Sequence, residues 1–199
     1  MEWQFVTTIA VFAAVMTITP GPNNVMLTAS GANFGYRQSI PHFVGIGIGL
    51  VMLIVLVAAG LGVVFQTYPV IQQGLKVLGC SYLLYLAWKI ATAQPSEVAG
   101  SEQQSSPMSW HAAALFQFLN PKAWLMSITA VGSFSYSGEQ YWLSVMVIAA
   151  TFMCVQMPCS SVWVGFGSFI RRWLSSPASW RWFNGVMGGL TAACVAFIW

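Results

Sequence analysis

The chain has 199 residues, of which 57% are hydrophobic and 6% are charged: seven Lys or Arg and four acidic residues, all Glu. Ordinary soluble domains carry about 25% charge, so a water-wetted fold is excluded, and intrinsic disorder needs the opposite composition. A net charge of +3 from scattered residues makes no phosphate-tracking patch, and four Cys inside apolar runs make no secreted disulfide scaffold.

An all-α polytopic membrane protein remains. A span needs roughly 20 apolar residues. Six windows meet that need: about 3–30, 40–66, 69–91, 109–135, 141–167 and 181–199. They occupy most of the chain, so residues 1–199 read as one transmembrane domain. Its halves run over about 1–92 and 109–199, and the Ser-, Gln-, Glu- and Pro-rich stretch 93–108 reads as a linker. The first span reads as retained, because Glu2 replaces the cationic start of a signal peptide and the apolar run is long.

Span 1 contains Thr19-Pro20-Gly21-Pro22-Asn23-Asn24, and span 4 contains Asn120-Pro121-Lys122-Ala123-Trp124. Thr-Pro and Asn-Pro both read as an N-cap followed by the first helical residue. Proline also ends the preceding segment. Each span therefore splits into two half-helices, with unpaired N–H groups and a positive dipole end at membrane depth. Such backbone is tolerated where protein or a water-filled cavity covers it, and it suits a carboxylate. Plain proline kinks are the simpler alternative. The breaks stand about 100 residues apart, as do the starts of spans 2 and 5. Three spans per half is an odd number, so the second half enters the membrane from the opposite side. The fold expected is a 3+3 inverted repeat with broken helices in spans 1 and 4.

Lys122 lies near the middle of span 4, where a charge is expensive and usually functional. It suits a substrate carboxylate, or a proton taken up and released during transport. Gln156, Ser160 and Trp163 share a face of span 5 and either line the cavity or bond across helices. Gly45 with Gly49, and Gly185 with Gly189, carry the spacing of close helix packing. His42 and His111 fall at span starts and read as solvated interface residues.

Six spans place Arg37, Lys89, Arg171, Arg172 and Arg181 on one side, and Lys76, Glu2 and Glu139 on the other. The positive side belongs in the cytoplasm, with both termini outside. Trp3, Trp88, Trp110, Trp142, Trp173, Trp180, Trp182 and Trp199 fall near span ends, as an aromatic belt.

At these residues the chain resembles the LysE/RhtB family of bacterial amino-acid exporters. The carriers are Thr19-Pro20-Gly21-Pro22-Asn23, Gly35-Tyr36-Arg37-Gln38, Gly45-Ile46-Gly47-Ile48-Gly49, Leu78 through Lys89, and Phe116-Gln117-Phe118-Leu119-Asn120-Pro121-Lys122-Ala123. The resemblance covers the chain in order. It implies an exporter of small amino acids or related metabolites in the bacterial inner membrane, proton-driven and often a homodimer, with no enzymatic activity. Cys80 and Ser81 depart mildly from it.

The candidate substrate site is Thr19, Pro20, Gly21, Pro22, Asn23, Asn24, Asn120, Pro121, Lys122, Trp124 and Gln156. No cofactor or metal ligand set stands out, and the partners expected are the amino-acid substrate, protons, the bilayer and a second copy. A membrane thiol-disulfide electron carrier needs a close cysteine pair, and no C-x-x-C occurs. A serine protease would need Ser and His in reach, and a channel or metal-ion exporter would need carboxylate rings or His clusters. An exporter of a non-amino-acid solute stays open. No acidic side chain lies inside a span, which favours neutral substrates such as homoserine, threonine, serine or cysteine.

Overall fold

The structure, a computed structural model, describes residues 3–61, 63, 67–93 and 106–197. The central part of the expected linker, 94–105, lies outside the described residues, as do Glu2, Glu97, Glu102 and Trp199. All regular structure among the described residues is helical.

The first half supplies α1 (Trp3–Ile18), α2 (Pro22–Phe34), α3 (Ile40–Leu56) and α4 (Pro69–Ala91). The second supplies α5 (Trp110–Phe116), α6 (Pro121–Phe134), α7 (Tyr141–Ile170) and α8 (Pro177–Ala193). Proline stands in the first turn of α2, α3, α4, α6 and α8. There its missing N–H is harmless and its fixed φ suits the helix. A capping box between Ser176 and Ser179 starts α8 four residues before the expected span, at Pro177. The π-helical turn Val57–Leu61 extends α3.

By length and composition, two helical runs among the described residues are able to cross a membrane, Arg37–Leu61 and Gly138–Trp173; α1 and α2, bent by 63° at their break, make a third if taken as one span. The other expected spans are divided by a break at Asn120, diluted by Gln72, Gln73 and Lys76, or, in α8, only 17 residues long.

The outside of the bundle is apolar and much of the inside is polar. Val11, Leu115, Met146 and Val162 are all about 60% exposed, whereas Gln117, Asn120 and Asn184 are 0–1% exposed. Water would penalise that surface; lipid does not. One core cluster ties α1, α3, α6 and α7 together through Ile9, Leu50, Met126, Ile148 and Phe152. A second joins α2, α3, α5 and α7 through Leu27, Phe43, Ile46, Ala113 and Val164. The halves interlock: α1 and α2 pack on α7, α5 and α6 pack on α3, and α4 packs on α8.

Glycine permits the closest crossings. A Cβ on Gly31 of α2 would collide with the Val164 carbonyl of α7, and one on Gly167 of α7 with the Thr28 carbonyl of α2. Gly45 and Gly49 lie against Trp110 and Ala114 of α5, as their spacing predicts. Gly185 and Gly189 make no close crossing: a Cβ added at either would meet no other element within 4 Å, and Gly188 makes the contact with Ala87 and Ala91 instead. Helix phase decides this, since α8 turns its 188 and 191 positions inward. Among the expected belt tryptophans, Trp180 is buried against Ala32 and Phe183, because α8 starts early enough to bring it onto α2. His42 is likewise buried rather than solvated, at 2% exposure.

Candidate functional site

Both breaks are built by local sequence. α1 ends at Ile18 and Thr19 turns its hydroxyl back to the Val15 carbonyl, so Thr19 is not the expected cap. The chain runs extended through Gly21, which is the N-cap, and α2 begins at Pro22. Two prolines flank Gly21, and the second rather than the first takes the opening helical position. Asn24 holds the break together: its amide donates to the carbonyls of Thr17 at 3.0 Å and Thr19 at 2.7 Å. These are among the carbonyls that the end of α1 leaves orphaned. At the second break the expectation holds. Asn120 is the N-cap, its Oδ1 accepts from the Lys122 N–H at 3.1 Å, and Pro121 opens α6.

Tertiary structure brings the two breaks together. Lys122 Nζ donates to the Thr19 carbonyl and, at 3.4 Å, to that of Pro20. A cation thus sits at the C-terminal end of α1, where the helix dipole favours it. Asn23 and Gln117 exchange amide hydrogen bonds across the halves, at 2.8 and 3.3 Å. A tight cleft of about 20 Å³ lies between these groups, room for about one water. Gly21, Asn23, Asn24, Asn120, Lys122 and Gln156 line it, joined by Thr17 and Ser160, with Ile46, Leu50 and Met126 among its apolar walls.

Six of the eleven candidate residues therefore share one cleft. Thr19 and Pro20 reach it through their carbonyls on Lys122. Pro22 and Pro121 set the helix starts behind it. Trp124 is not among the lining residues; it packs on the core beside α1 and α3, and its Nε1 donates to the Phe118 carbonyl at 2.9 Å. Sequence reading left Thr17 and Gln117 unassigned. Thr17 had no signal, whereas Gln117, an amide in an apolar span three residues before Asn-Pro, carried one.

The apolar exterior and the long apolar helices define a helical, membrane-capable protein. The LysE type translocator family model matches residues 14–197, and the chain belongs to that family. Its members are translocators, not enzymes. Cysteine/O-acetylserine efflux proteins of Escherichia coli strain K12, Shigella flexneri serotype 5b and Shigella sonnei are each 32% identical to this chain over 124 residues. The match spans 62% of this chain and 62% of each relative. No solved structure matches it significantly.

Proposed function

We propose that the protein is a proton-coupled secondary exporter of small neutral amino acids in the bacterial inner membrane. The observation that carries this reading is the meeting of both helix breaks and Lys122 on one cleft. The N-terminal turns of α2 and α6 present their positive dipole ends, and Lys122 supplies the full positive charge. A substrate carboxylate is the natural partner for both, displacing the Thr19 and Pro20 carbonyls from Nζ. The efflux function named for the relatives supports the direction of transport and the class of solute.

The same reading takes the fold as six spans in a 3+3 inverted repeat. The interlocking of the halves supports it, because exchanging first-half for second-half helices converts α1 on α7 into α5 on α3, and leaves α4 on α8 unchanged. α4 and α8 then cross as a pair, with short polar stretches shielded by each other. Lys122 is also the proton carrier of this reading, since the one acidic side chain among the described residues, Glu139, is exposed in the 3-10 turn before α7.

The test is export from cells overexpressing the protein, followed by vesicles with an imposed pH gradient. Serine, cysteine, threonine or homoserine is expected to accumulate outside, with resistance to toxic amino-acid analogues. Lys122→Gln is expected to abolish gradient-driven movement. Normal movement in that variant defeats the proton role of Lys122, and absence of any exported amino acid defeats the exporter reading.

A further inference from the structure

An α-amino acid carries an ammonium beside its carboxylate, and the cleft holds no negative charge for it. Among the described residues the one acidic side chain is Glu139, exposed in the turn before α7. The ammonium therefore needs a neutral acceptor, and most of those in the cleft are engaged. The Asn23 oxygen accepts from Gln117, the Asn120 oxygen from the Lys122 backbone, and the Thr17 carbonyl from Asn24. The Gln156 oxygen differs. Gln156 is 2% exposed, and its Oε1 is buried without a hydrogen-bond partner. Its Nε2 donates to Ser160 Oγ at 2.6 Å and reaches the Phe43 carbonyl at 3.5 Å. Phe43 offers only an acceptor there, so the nitrogen is fixed on that side and the oxygen on the other. Gly47 makes room for it, since a Cβ at that position would stand 2.6 Å from Oε1.

A buried amide oxygen left unpaired is unfavourable and calls for an explanation. Resting on the exporter reading, we propose that Gln156 Oε1, backed by Ser160, is the ammonium subsite of the cleft, and that it makes the protein selective for α-amino acids over their α-hydroxy counterparts. The division of labour is chemical. Lys122 and the helix starts take the carboxylate, while Gln156 accepts from the ammonium in a charge-assisted bond. Because that acceptor is neutral, zwitterion and protein together keep the single positive charge of Lys122. A basic side chain would add a second without a counter-ion, so lysine and ornithine are rejected.

The experiment measures uptake into inside-out vesicles of radiolabelled serine, its hydroxy isostere glycerate, and lysine, for the unaltered protein, Gln156→Leu and Gln156→Glu. The unaltered protein is expected to move serine and exclude glycerate and lysine. Gln156→Leu is expected to lower the serine-to-glycerate preference by at least about tenfold, the scale of one lost hydrogen bond to a charged group. Gln156→Glu, which keeps shape and supplies a negative acceptor, is expected to admit lysine. Both variants are quantified in the membrane, and Gln156→Glu keeps the test decisive if Gln156→Leu fails to insert. Serine-to-glycerate preference unchanged in Gln156→Leu, or continued exclusion of lysine by Gln156→Glu, overturns the ammonium assignment while leaving the exporter reading intact. Failure of the unaltered protein to move serine, cysteine, threonine or homoserine removes the exporter reading, and this assignment with it.

Discussion

Asn120 closes the second break as a helix cap, with Lys122 two residues on. Aspartate caps a helix as well as asparagine does. Asn120→Asp should therefore keep thermal stability in detergent, within the cap preference. It also places a negative charge at the start of α6, which repels a substrate carboxylate and competes for Lys122. Export should fall about tenfold or more, a penalty of ~1.4 kcal/mol. Asn120→Ala should instead lower stability by about 1 kcal/mol through loss of the cap. Equal export by Asn120→Asp and the unaltered protein would remove the carboxylate from this end of the cleft. The Asn23–Gln117 pair behaves differently, since it joins residues 94 apart. Replacing either with Leu removes the other's partner across the halves, although Gln117 keeps its bond to the Ala113 carbonyl, and should cost about 1–2 kcal/mol; the double replacement should cost less than the two singles together. Thermal unfolding of the three variants measures the coupling, and strict additivity would show that the pair holds nothing.

Elements were legible in sequence where chemistry is local. Asn-Pro fixed both cap and first residue of α6, and the mostly apolar stretch after Pro69 marked α4 at Pro69–Ala91. Pro20-Gly21-Pro22 was ambiguous, because either proline can open a helix and only the folded chain shows Thr19 bonding back to α1. His42 and Trp180 sit where polar or amphipathic residues usually meet water, and their burial depends on helices distant in sequence. Glycine spacing told only half its story. Gly45 and Gly49 face a partner, but the same spacing at Gly185 and Gly189 does not. The tightest crossing, Gly31 on Val164 and Gly167 on Thr28, involves glycines 136 residues apart with no local pattern. Gly31→Val should force α2 from α7 and cost about 1–3 kcal/mol as overpacking, with a matching loss of melting temperature. Gly185→Ala meets open space and gains helix propensity. It should be neutral or slightly stabilising, and a large loss there would place an unseen partner on that face of α8.

For the whole molecule, the few charges sort by end. Asn184 in the middle of α8 donates to the carbonyl of Ala93, just after α4, and pairs with Asn33 near the end of α2. The Arg171 guanidinium lies against Gly35. Arg37, Lys89, Arg171, Arg172 and Arg181 thus gather at one end of the bundle. At the other end Phe5 meets Tyr136 with ring centroids 4.8 Å apart, and Tyr141 donates to the Ala58 carbonyl at 2.7 Å. Glu139 belongs to that end. Cationic loops stay in the cytoplasm because moving them across the membrane is disfavoured. The proposed topology then puts the basic end inside, the nearly uncharged end outside, and both termini outside. With the four native cysteines replaced by serine, Ser137→Cys and Ser175→Cys mark the two ends at exposed positions. A membrane-impermeant maleimide on intact cells should label Ser137→Cys at once and Ser175→Cys only after the inner membrane is opened. The reverse pattern would invert the molecule. In that case the five basic residues would face the periplasm, and the half-helix starts of α2 and α6 would receive substrate from the side opposite to the one export requires.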